Sequence, residues 1–247
     1  MTRKPSIVIQ GDRERAGDAV VFLPPAGSAT SPYLPVGGRL PPDLLAVHCE
    51  MPGRGRLAGE QPAGTVQQVV DRWTADLSRD LAGRRLYLFG HSLGTLFAYE
   101  MAGRFTAHPV CEVAGLLISG AREPGHVPRS LIATAFATVR AERRLTDEEG
   151  DAEGVHLTAD LQMRREYRAA REPVRAPLAL LCGRDDKFVR PEEMTEWKKF
   201  ATGPFFGTFT FDGGHDYYLA GKDLVASTIR ELVDRMNQSP KRIRSGK

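Results

Sequence analysis

A serine stands between two glycines in the pentapeptide GHSLG at 90–94, where an apolar segment gives way to a more polar one. The apolar run 85–89 before it is typical of a buried strand, and the segment 95–102 after it is typical of a helix. On such a sharp strand-to-helix turn the serine backbone is strained, and side chains in place of the glycines would collide with the neighbouring strand and helix. The pattern predicts that Ser92 is a nucleophile whose hydroxyl is lifted clear of a sheet.

A serine hydroxyl is a weak nucleophile without a general base, and His215 is the favoured base among the six histidines. It lies in the segment FDGGHDYYL, after a strand-like run and before the last helical pattern, which is where an α/β-hydrolase holds its base. His48 lies inside an apolar run and is expected to be a buried structural residue. His91 is expected to point away from the nucleophile, and the other three histidines are expected on the surface.

The acid of a Ser-His-Asp triad should follow a strand and precede His215 in the chain. Asp185 and Asp186 both satisfy this condition, because they come shortly after the apolar run 178–182. The usual G-x-x-D spacing, counted from Gly183, selects Asp186, with Asp185 as the alternative. The carboxylate would orient the imidazole and stabilise its protonated form.

Two backbone N–H groups are needed to stabilise the negative charge that develops on the carbonyl oxygen of the substrate. The first is expected from Leu93, the residue after the nucleophile, at the start of a helix. The second is expected from the segment FLPPAGSAT, which follows the first core strand. Proline has no N–H group, so Ala26 is the first residue after the prolines that can donate.

The apolar runs predict six strands, several of them buried on both faces because the run is continuous and does not alternate. They lie at 19–23, 44–51, 85–89, 114–119, 178–182 and 207–211. Apolar residues at helical spacing lie between them, at 65–81, 191–200 and 223–236. Thr65 and Gln68 predict a capping box at the start of the first helix. This alternation predicts a doubly wound, mostly parallel sheet, and with the nucleophile turn it predicts the α/β-hydrolase fold.

The segment from about 128 to 172 interrupts the alternation of strands and helices. It holds two helical patterns, at 129–145 and 158–171, separated by the acidic stretch TDEEGDAEG. An excursion of this length between two sheet strands predicts an inserted helical cap, or lid. We therefore expect a single α/β-hydrolase domain over 1–247, with a lid at about 128–172 and a basic, disordered tail at 238–247.

Charge and composition exclude several classes of function. The formal net charge is +3, but four positive charges lie in the last seven residues, which leaves a nearly neutral body and argues against nucleic-acid binding. Three widely spaced cysteines without a CxxC pattern argue against a disulfide framework or a zinc site. The N-terminus does not resemble a signal peptide, and no apolar run is long enough to cross a membrane. We expect a cytoplasmic monomer that needs no metal or cofactor.

Several segments together resemble the type II thioesterases of nonribosomal peptide and polyketide assembly lines. They are FLPPAGSATSPY, MPGRGRLAGEQP, LFGHSLGTLFAYEMA, GRDDKFVRPEEMTEWKKFATGPF and DGGHDYYL. The resemblance extends from about Ala19 to Arg235 and is weakest in the cap. Its most family-specific phrase, in which the glutamate stands one place later than usual, is carried by Pro52, Gly53, Arg54, Arg56 and Glu60.

The resemblance implies a stand-alone editing hydrolase that cleaves acyl or aminoacyl thioesters from the 4′-phosphopantetheine arm of an acyl or peptidyl carrier protein. Ser92 would attack the thioester with His215 as base, the Ala26 and Leu93 amides would hold the oxyanion, and water would hydrolyse the acyl-enzyme. Carrier proteins are typically acidic, so basic residues near the cap are candidate docking contacts. These are Arg140, Arg143, Arg144, Arg164 and Arg165.

Three departures from the family pattern leave the triad intact but obscure the acyl-chain preference. Pro25 precedes Ala26 where a histidine or similar residue is usual, Lys187 replaces a proline, and Asp216 replaces an aromatic residue and puts a carboxylate next to the base. Other functions are compatible with the same triad. They are a small-molecule carboxylesterase, a discrete terminal thioesterase that transfers or offloads its acyl group, and a hydrolase-fold binding protein that has lost turnover.

Overall fold

Seven strands form one sheet in the computed structural model of the protein, which describes residues 3–126, 147–169 and 172–239, with only the backbone of 147–153. The strands are β1 Ile7–Gln10, β2 Asp18–Leu23, β3 Leu44–Cys49, β4 Arg85–His91, β5 Glu112–Ser119, β6 Leu178–Gly183 and β7 Phe205–Phe211. Their order is β1-β3-β2-β4-β5-β6-β7, with β1 antiparallel to β3 and all other neighbours parallel. The carboxyl ends of β2 to β7 therefore share one edge, where ligands bind in open α/β sheets.

Helices cover both faces of this sheet. They are α1 Leu34–Gly37, α2 Val66–Asp80, α3 Gly94–Ala107, α4 Asp147–Glu166, α5 Tyr217–Ala220 and α6 Lys222–Gln238, with 3-10 helices at Gly55–Leu57 and Pro191–Lys199. One apolar core includes Trp73 of α2 and Phe97 of α3, and the other includes Val36 of α1 and Ile229 of α6. The doubly wound, mostly parallel sheet predicted from the sequence is confirmed.

All six predicted strands are present, and their ends lie within two residues of the prediction. The continuous apolar runs of β2, β3 and β6 are buried throughout, as expected for parallel strands covered on both faces. The sequence does not predict β1, a four-residue edge strand of which only Ile7 is fully buried. Short half-buried strands between polar segments leave a weak burial signal, which explains the omission.

Two predicted helices show how local side chains determine helical structure. Thr65 caps α2 as predicted, because its hydroxyl accepts a hydrogen bond from Gln68 N at 3.2 Å. The Gln68 side chain accepts from Gly64 N, one residue before the position of an ideal capping box. The predicted helix 191–200 is a 3-10 helix, whose period of three matches the spacing of the buried Met194 and Trp197.

The insertion between β5 and β6 differs from its prediction. Helix α4 covers Asp147–Glu166 among the described residues, so the acidic stretch that was expected to separate two helices is helical from Asp147 onward. The predicted helix 129–145 lies outside the described residues. Most of the predicted tail at 238–247 also lies outside the described residues. Its first residue, Gln238, belongs to α6 and not to a disordered tail.

Within the part of the chain that the structure describes, none of the helices combines the length and the apolar character needed to cross a membrane.

Candidate active site

Ser92 has a left-handed backbone conformation at the turn between β4 and α3, with a φ of 53°. Among the described residues it is the one non-glycine position with a positive φ. Its N–H donates to Ser119 O at 2.9 Å, and its carbonyl accepts from Thr95 N at 3.2 Å and from Thr95 Oγ1 at 2.7 Å. These hydrogen bonds hold the strained turn, and Ser92 keeps part of its surface accessible.

The two glycines of the pentapeptide are required by close backbone contacts. A Cβ atom on Gly90 would lie 2.3 Å from Gly94 O, and a Cβ atom on Gly94 would lie 2.4 Å from Leu23 O. Because both partners are backbone atoms, no side-chain rotation could relieve these clashes. The steric reason for glycine at both positions is therefore the one predicted from the sequence. The second contact also shows that the amino end of α3 lies against the segment that follows β2.

His215 and Asp186 form a buried hydrogen bond beyond the carboxyl ends of β7 and β6. The distance from His215 Nδ1 to Asp186 Oδ2 is 2.8 Å, and the Asp186 side chain has no exposed surface. The segments that carry them meet at Gly183, where a Cβ atom would lie 2.0 Å from Gly214 O. Asp185 is exposed. The structure thus brings Asp186, and not Asp185, to His215.

The surroundings of Asp186 favour its ionised form. Burial alone would raise the pKa of this carboxyl, but the hydrogen bond and charge of His215, together with the Phe188 N–H, outweigh burial and lower the pKa. Phe188 N and Val189 N donate to Asp186 Oδ1 at 2.8 Å and 3.3 Å. One carboxylate oxygen therefore faces the imidazole and the other faces the backbone. A carboxylate held in this way orients His215 with Nδ1 toward it and leaves Nε2 for proton transfer.

Aromatic contacts place His215 beside the nucleophile turn. The ring centroids of His215 and His91 are 4.5 Å apart, and the Phe188 ring packs edge-on against His215 at 4.7 Å. His91 is the residue immediately before Ser92 in the chain. The structure therefore gathers the three predicted triad residues at one edge of the sheet, beyond the ends of β4, β6 and β7.

A buried polar network under the turn was not found by sequence reasoning. His91 has no exposed surface, and its Nδ1 lies 2.8 Å from Ser119 Oγ, which lies 2.7 Å from Tyr217 Oη. Burial raises the pKa of Tyr217, so its hydroxyl keeps its proton at neutral pH. The ring of His91 is buried, and it packs against the ring of the predicted base His215. These residues are far apart in sequence, so spacing alone does not pair them.

Asp216, the carboxylate expected next to the base, accepts a hydrogen bond from Tyr218 and lies near His91. Tyr218 Oη donates to Asp216 Oδ1 at 2.8 Å, and His91 Nε2 lies 3.8 Å from the same oxygen. Asp216 is buried, so the Tyr218 hydroxyl replaces water as a donor to one of its oxygens. Its position after His215 therefore places a buried carboxylate beside the network around His91.

The two predicted oxyanion donors lie on segments that meet at Gly94. Leu93 is the N-cap residue of α3. The N–H groups at the start of a helix have no acceptor within the helix, so they can donate to a ligand. Ala26 is half-buried in the loop after β2. Because a Cβ atom on Gly94 would touch Leu23 O, the two segments are in direct contact at the sheet edge that carries Ser92. This placement is compatible with two amides that converge on one oxygen atom.

Metal-ligating side chains and thiols are the other groups of the chain that could carry chemistry. In residues 3–126, 147–169 and 172–239, no three histidine, cysteine or acidic side chains are grouped so that they could hold a metal ion. Cys49, Cys111 and Cys182 are buried free thiols. Burial, with smaller contributions from Asp186 and Glu192, raises the pKa of Cys182 to about 11, so this thiol is protonated at neutral pH.

Comparison with known proteins relates this site to a family. The family model described as the thioesterase domain matches residues 18–233. A curated relative, thioesterase PikA5 of Streptomyces venezuelae, is 30% identical over 211 residues. That alignment covers 80% of this chain and 74% of the relative.

Two solved structures share the fold over nearly the whole chain. The type II thioesterase BorB from the borrelidin biosynthetic cluster is 27% identical with a TM-score of 0.79, over 94% of this chain and 99% of BorB. The thioesterase RedJ from the prodiginine biosynthetic pathway in Streptomyces coelicolor is 26% identical with a TM-score of 0.78, over 91% of this chain and 92% of RedJ. The α/β-hydrolase fold predicted from the sequence is confirmed by this agreement.

Proposed function

The chain belongs to the thioesterase family, and we propose that it is a stand-alone editing hydrolase of a polyketide or nonribosomal peptide assembly line. It removes acyl or aminoacyl groups from the 4′-phosphopantetheine arm of a carrier protein and so frees modules that carry an unproductive load. The observation that carries the proposal is a strained, accessible Ser92 beside the buried Asp186–His215 pair, in a chain that the family model matches over 18–233. The biosynthetic origin of BorB and RedJ supports the same role.

Acylation begins when Ser92 Oγ attacks the thioester carbonyl carbon and His215 Nε2 takes its proton. The tetrahedral intermediate carries a negative charge on the former carbonyl oxygen, and the N–H groups of Ala26 and Leu93 donate to that oxygen. Its collapse breaks the carbon–sulfur bond. The phosphopantetheine thiol leaves with the proton from His215, and the acyl group remains as an ester on Ser92.

Deacylation repeats these steps with water as the nucleophile. His215 takes a proton from water as the water oxygen adds to the acyl carbon, and the second tetrahedral intermediate releases Ser92 with that proton. The product is the free carboxylic acid. Asp186 stays ionised throughout and stabilises the His215 cation, which its lowered pKa supports.

The chemistry of the leaving group suits a thioester. A thiol has a pKa near 8.5, far below that of an alcohol, so a thiolate departs with little help from an acid. An oxygen ester depends more on His215 as the proton donor to the leaving group. The same triad can therefore hydrolyse both thioesters and oxygen esters. The preferred substrate is identified by comparing the rates of hydrolysis of the two.

The proposed partner is an acidic carrier protein. Of the five arginines expected to contact it, Arg165 on α4 is exposed, and Arg164 is half-buried with its pKa lowered by burial. The others, Arg140, Arg143 and Arg144, lie outside the described residues. Arg165→Glu is therefore expected to raise KM for a carrier-bound thioester and to leave hydrolysis of a free acyl-CoA unchanged.

We also propose that the chain is one domain, with the insertion 128–172 as its lid, and that it is a cytoplasmic monomer. Asp160 of α4 binds Gly27 N in the loop after β2, which supports a lid position for this helix. The three free thiols suit a reducing compartment. Light scattering of the purified protein should give the monomer mass of 27.2 kDa, whereas twice that mass would contradict the monomer.

The test compares three substrates that carry the same acetyl or hexanoyl group. They are an acyl-phosphopantetheinyl carrier protein, the matching acyl-CoA and the matching p-nitrophenyl ester, each with wild-type protein and with Ser92→Ala. A higher kcat/KM for the carrier-bound thioester, lost in Ser92→Ala, is the expected result. Faster turnover of the oxygen ester would instead identify a carboxylesterase. Transfer of the acyl group to an added alcohol or amine would identify an offloading thioesterase.

A further inference from the structure

We propose that a buried ion pair between Arg54 and Asp160 positions the loop 24–28, which carries the Ala26 oxyanion donor, and links that loop to helix α4. The inference rests on the proposed function, because it takes Ala26 as a donor to the oxyanion. Arg54 and Asp160 are thus positioning residues, which act on the reaction through Ala26 and do not touch the reacting atoms.

The pair is bidentate and has almost no contact with water. Arg54 Nη1 donates to Asp160 Oδ2 at 2.7 Å, and Arg54 Nη2 donates to Asp160 Oδ1 at 2.5 Å. The exposed fraction of the side chain is 6% for Arg54 and 1% for Asp160. Two parallel hydrogen bonds fix the relative orientation of both planar groups, which a single contact would not do.

The same two side chains hold the backbone that follows Ala26. Gly27 N donates to Asp160 Oδ2 at 2.8 Å, and Arg54 Nη1 donates to Ser28 O at 3.3 Å. Gly27 has a φ of 84°, a conformation that residues with side chains rarely adopt. The 26–27 and 28–29 peptide groups are therefore held from outside the loop, by one residue near β3 and one on α4.

Positioning of this loop matters because the two residues before Ala26 are prolines. Pro24 and Pro25 have no N–H group, so they cannot hold the loop by donating hydrogen bonds. A catalytic amide stabilises the transition state only when it is held in place before the reaction, and an error of about 1 Å costs about 100-fold in rate. The ion pair supplies this rigidity from the carboxyl side of Ala26.

The contact also couples α4 to the loop. Asp160 lies 133 residues after Gly27 in the chain, and on α4 its buried neighbours are Leu157 and Met163. If α4 moved away from the sheet, Gly27 N and the Arg54 guanidinium would lose the Asp160 carboxylate together, and the bond from Arg54 to Ser28 O would remain. The Gly27 amide is therefore held by a side chain only while α4 lies against the loop.

A purely structural role predicts a different outcome. A buried pair that only stabilises the fold would lower the melting temperature when broken, and kcat of the folded protein would not change. A positioning role predicts a loss of kcat with little change in KM, because the oxyanion develops only in the transition state. It also predicts weaker binding of a tetrahedral transition-state analogue.

The chain offers a matched control at the opposite edge of the sheet. Asp18, at the start of β2, accepts from Arg85 Nε at 2.9 Å and from Arg85 Nη2 at 2.8 Å, which is also a bidentate pair. Its side chain is 10% exposed. Asp18→Asn breaks a bidentate ion pair whose arginine is more exposed than Arg54, at 34%, and which lies about 20 Å along the strand from the site, so kcat should be unchanged.

The experiment measures kcat, KM, melting temperature and the affinity of an alkylboronic acid for wild type, Asp160→Asn, Arg54→Lys and Asp18→Asn, with Ser92→Ala as reference. In Asp160→Asn we expect kcat to fall about 10- to 100-fold, KM to change less than about threefold and boronate affinity to fall in parallel with kcat. Arg54→Lys keeps the charge but loses the bidentate geometry, and it should show the same pattern. It also serves as the test if Asp160→Asn does not fold.

Two results would overturn this inference and leave the proposed function intact. One is a wild-type kcat in Asp160→Asn and Arg54→Lys with only a lower melting temperature. The other is an equal loss of kcat in Asp18→Asn, which would assign the effect to general destabilisation. Unchanged hydrolysis by Ser92→Ala would instead overturn the proposed function, and this inference with it.

Discussion

Replacement of Gly94 by alanine tests the geometry of the nucleophile turn. The new Cβ atom would lie 2.4 Å from Leu23 O and 3.1 Å from Pro24 O, both in the segment that leads to Ala26. Real Cβ atoms keep at least 3.0 Å from such neighbours, so α3 and this segment must separate by about 0.6 Å or more. The separation would change the distance between the two amides that are proposed to bind the oxyanion.

The expected loss follows from the size of this shift. A misplacement of about 1 Å at a catalytic group costs about 100-fold in rate, so a shift of about 0.6 Å should lower kcat between about 10-fold and 100-fold. Overpacking of a dense interior also costs about 1–3 kcal/mol in the free energy of unfolding. Such a loss leaves most of the protein folded at 25 °C, because domains of ordinary stability have about 5–15 kcal/mol.

The assay measures hydrolysis of the acyl-CoA at saturating substrate, together with urea unfolding of the same preparation. Gly59→Ala is the matched control, since Gly59 is exposed and a Cβ atom there would have no neighbour within 4 Å. Its kcat should equal that of wild type. Wild-type kcat in a folded Gly94→Ala protein would refute the reasoning, because the turn would then tolerate the shift.

Three further predictions concern other groups of the site and core. Asp186→Asn should lower kcat by up to about 10⁴-fold with little change in KM, as measured by steady-state hydrolysis, and a loss below tenfold would contradict its role. Burial lowers the pKa of His48 from 6.5 to about 4. As the pH falls, His48 therefore takes up a proton in the unfolded chain at a higher pH than in the folded protein. The free energy of unfolding should therefore decrease by about 3 kcal/mol between pH 6.5 and pH 4, and urea titrations of His48→Gln should lack that slope. Burial raises the pKa of Cys111 and Cys182 to about 11, so a thiol reagent should not label them rapidly in the native protein, whereas fast labelling would contradict their burial.

The sequence predicts those parts of the site that depend on local backbone geometry. Gly90 and Gly94 are required because a Cβ atom at either position would lie less than 2.5 Å from a backbone atom. A requirement of this kind restricts the residue type at fixed positions and can therefore be recognised as a short sequence pattern. The spacing from Gly183 selects Asp186 for a similar reason, since Gly183 lies against Gly214 O beneath the His215 segment. Continuous apolar runs reveal buried strands equally well, because burial on both faces excludes polar residues.

Long-range side-chain contacts were beyond sequence reasoning. Arg54 and Asp160 are 106 residues apart, and no local pattern indicates that they meet. The same holds for His91 and Ser119, whose contact depends on the parallel pairing of β4 and β5. The acidic stretch was expected to be a loop because acidic and glycine residues are typical of loops, but it is helical from Asp147 onward.

The most direct test of the account is to locate the acyl group during turnover. Carrier protein loaded with a hexanoyl-phosphopantetheine thioester is mixed with wild-type protein, quenched with acid within milliseconds and digested for mass spectrometry. The account predicts a transient hexanoyl ester on Ser92, and neither ester nor hydrolysis in Ser92→Ala. Hydrolysis that persists in Ser92→Ala, with no acyl group on Ser92 of the wild-type protein, would contradict it.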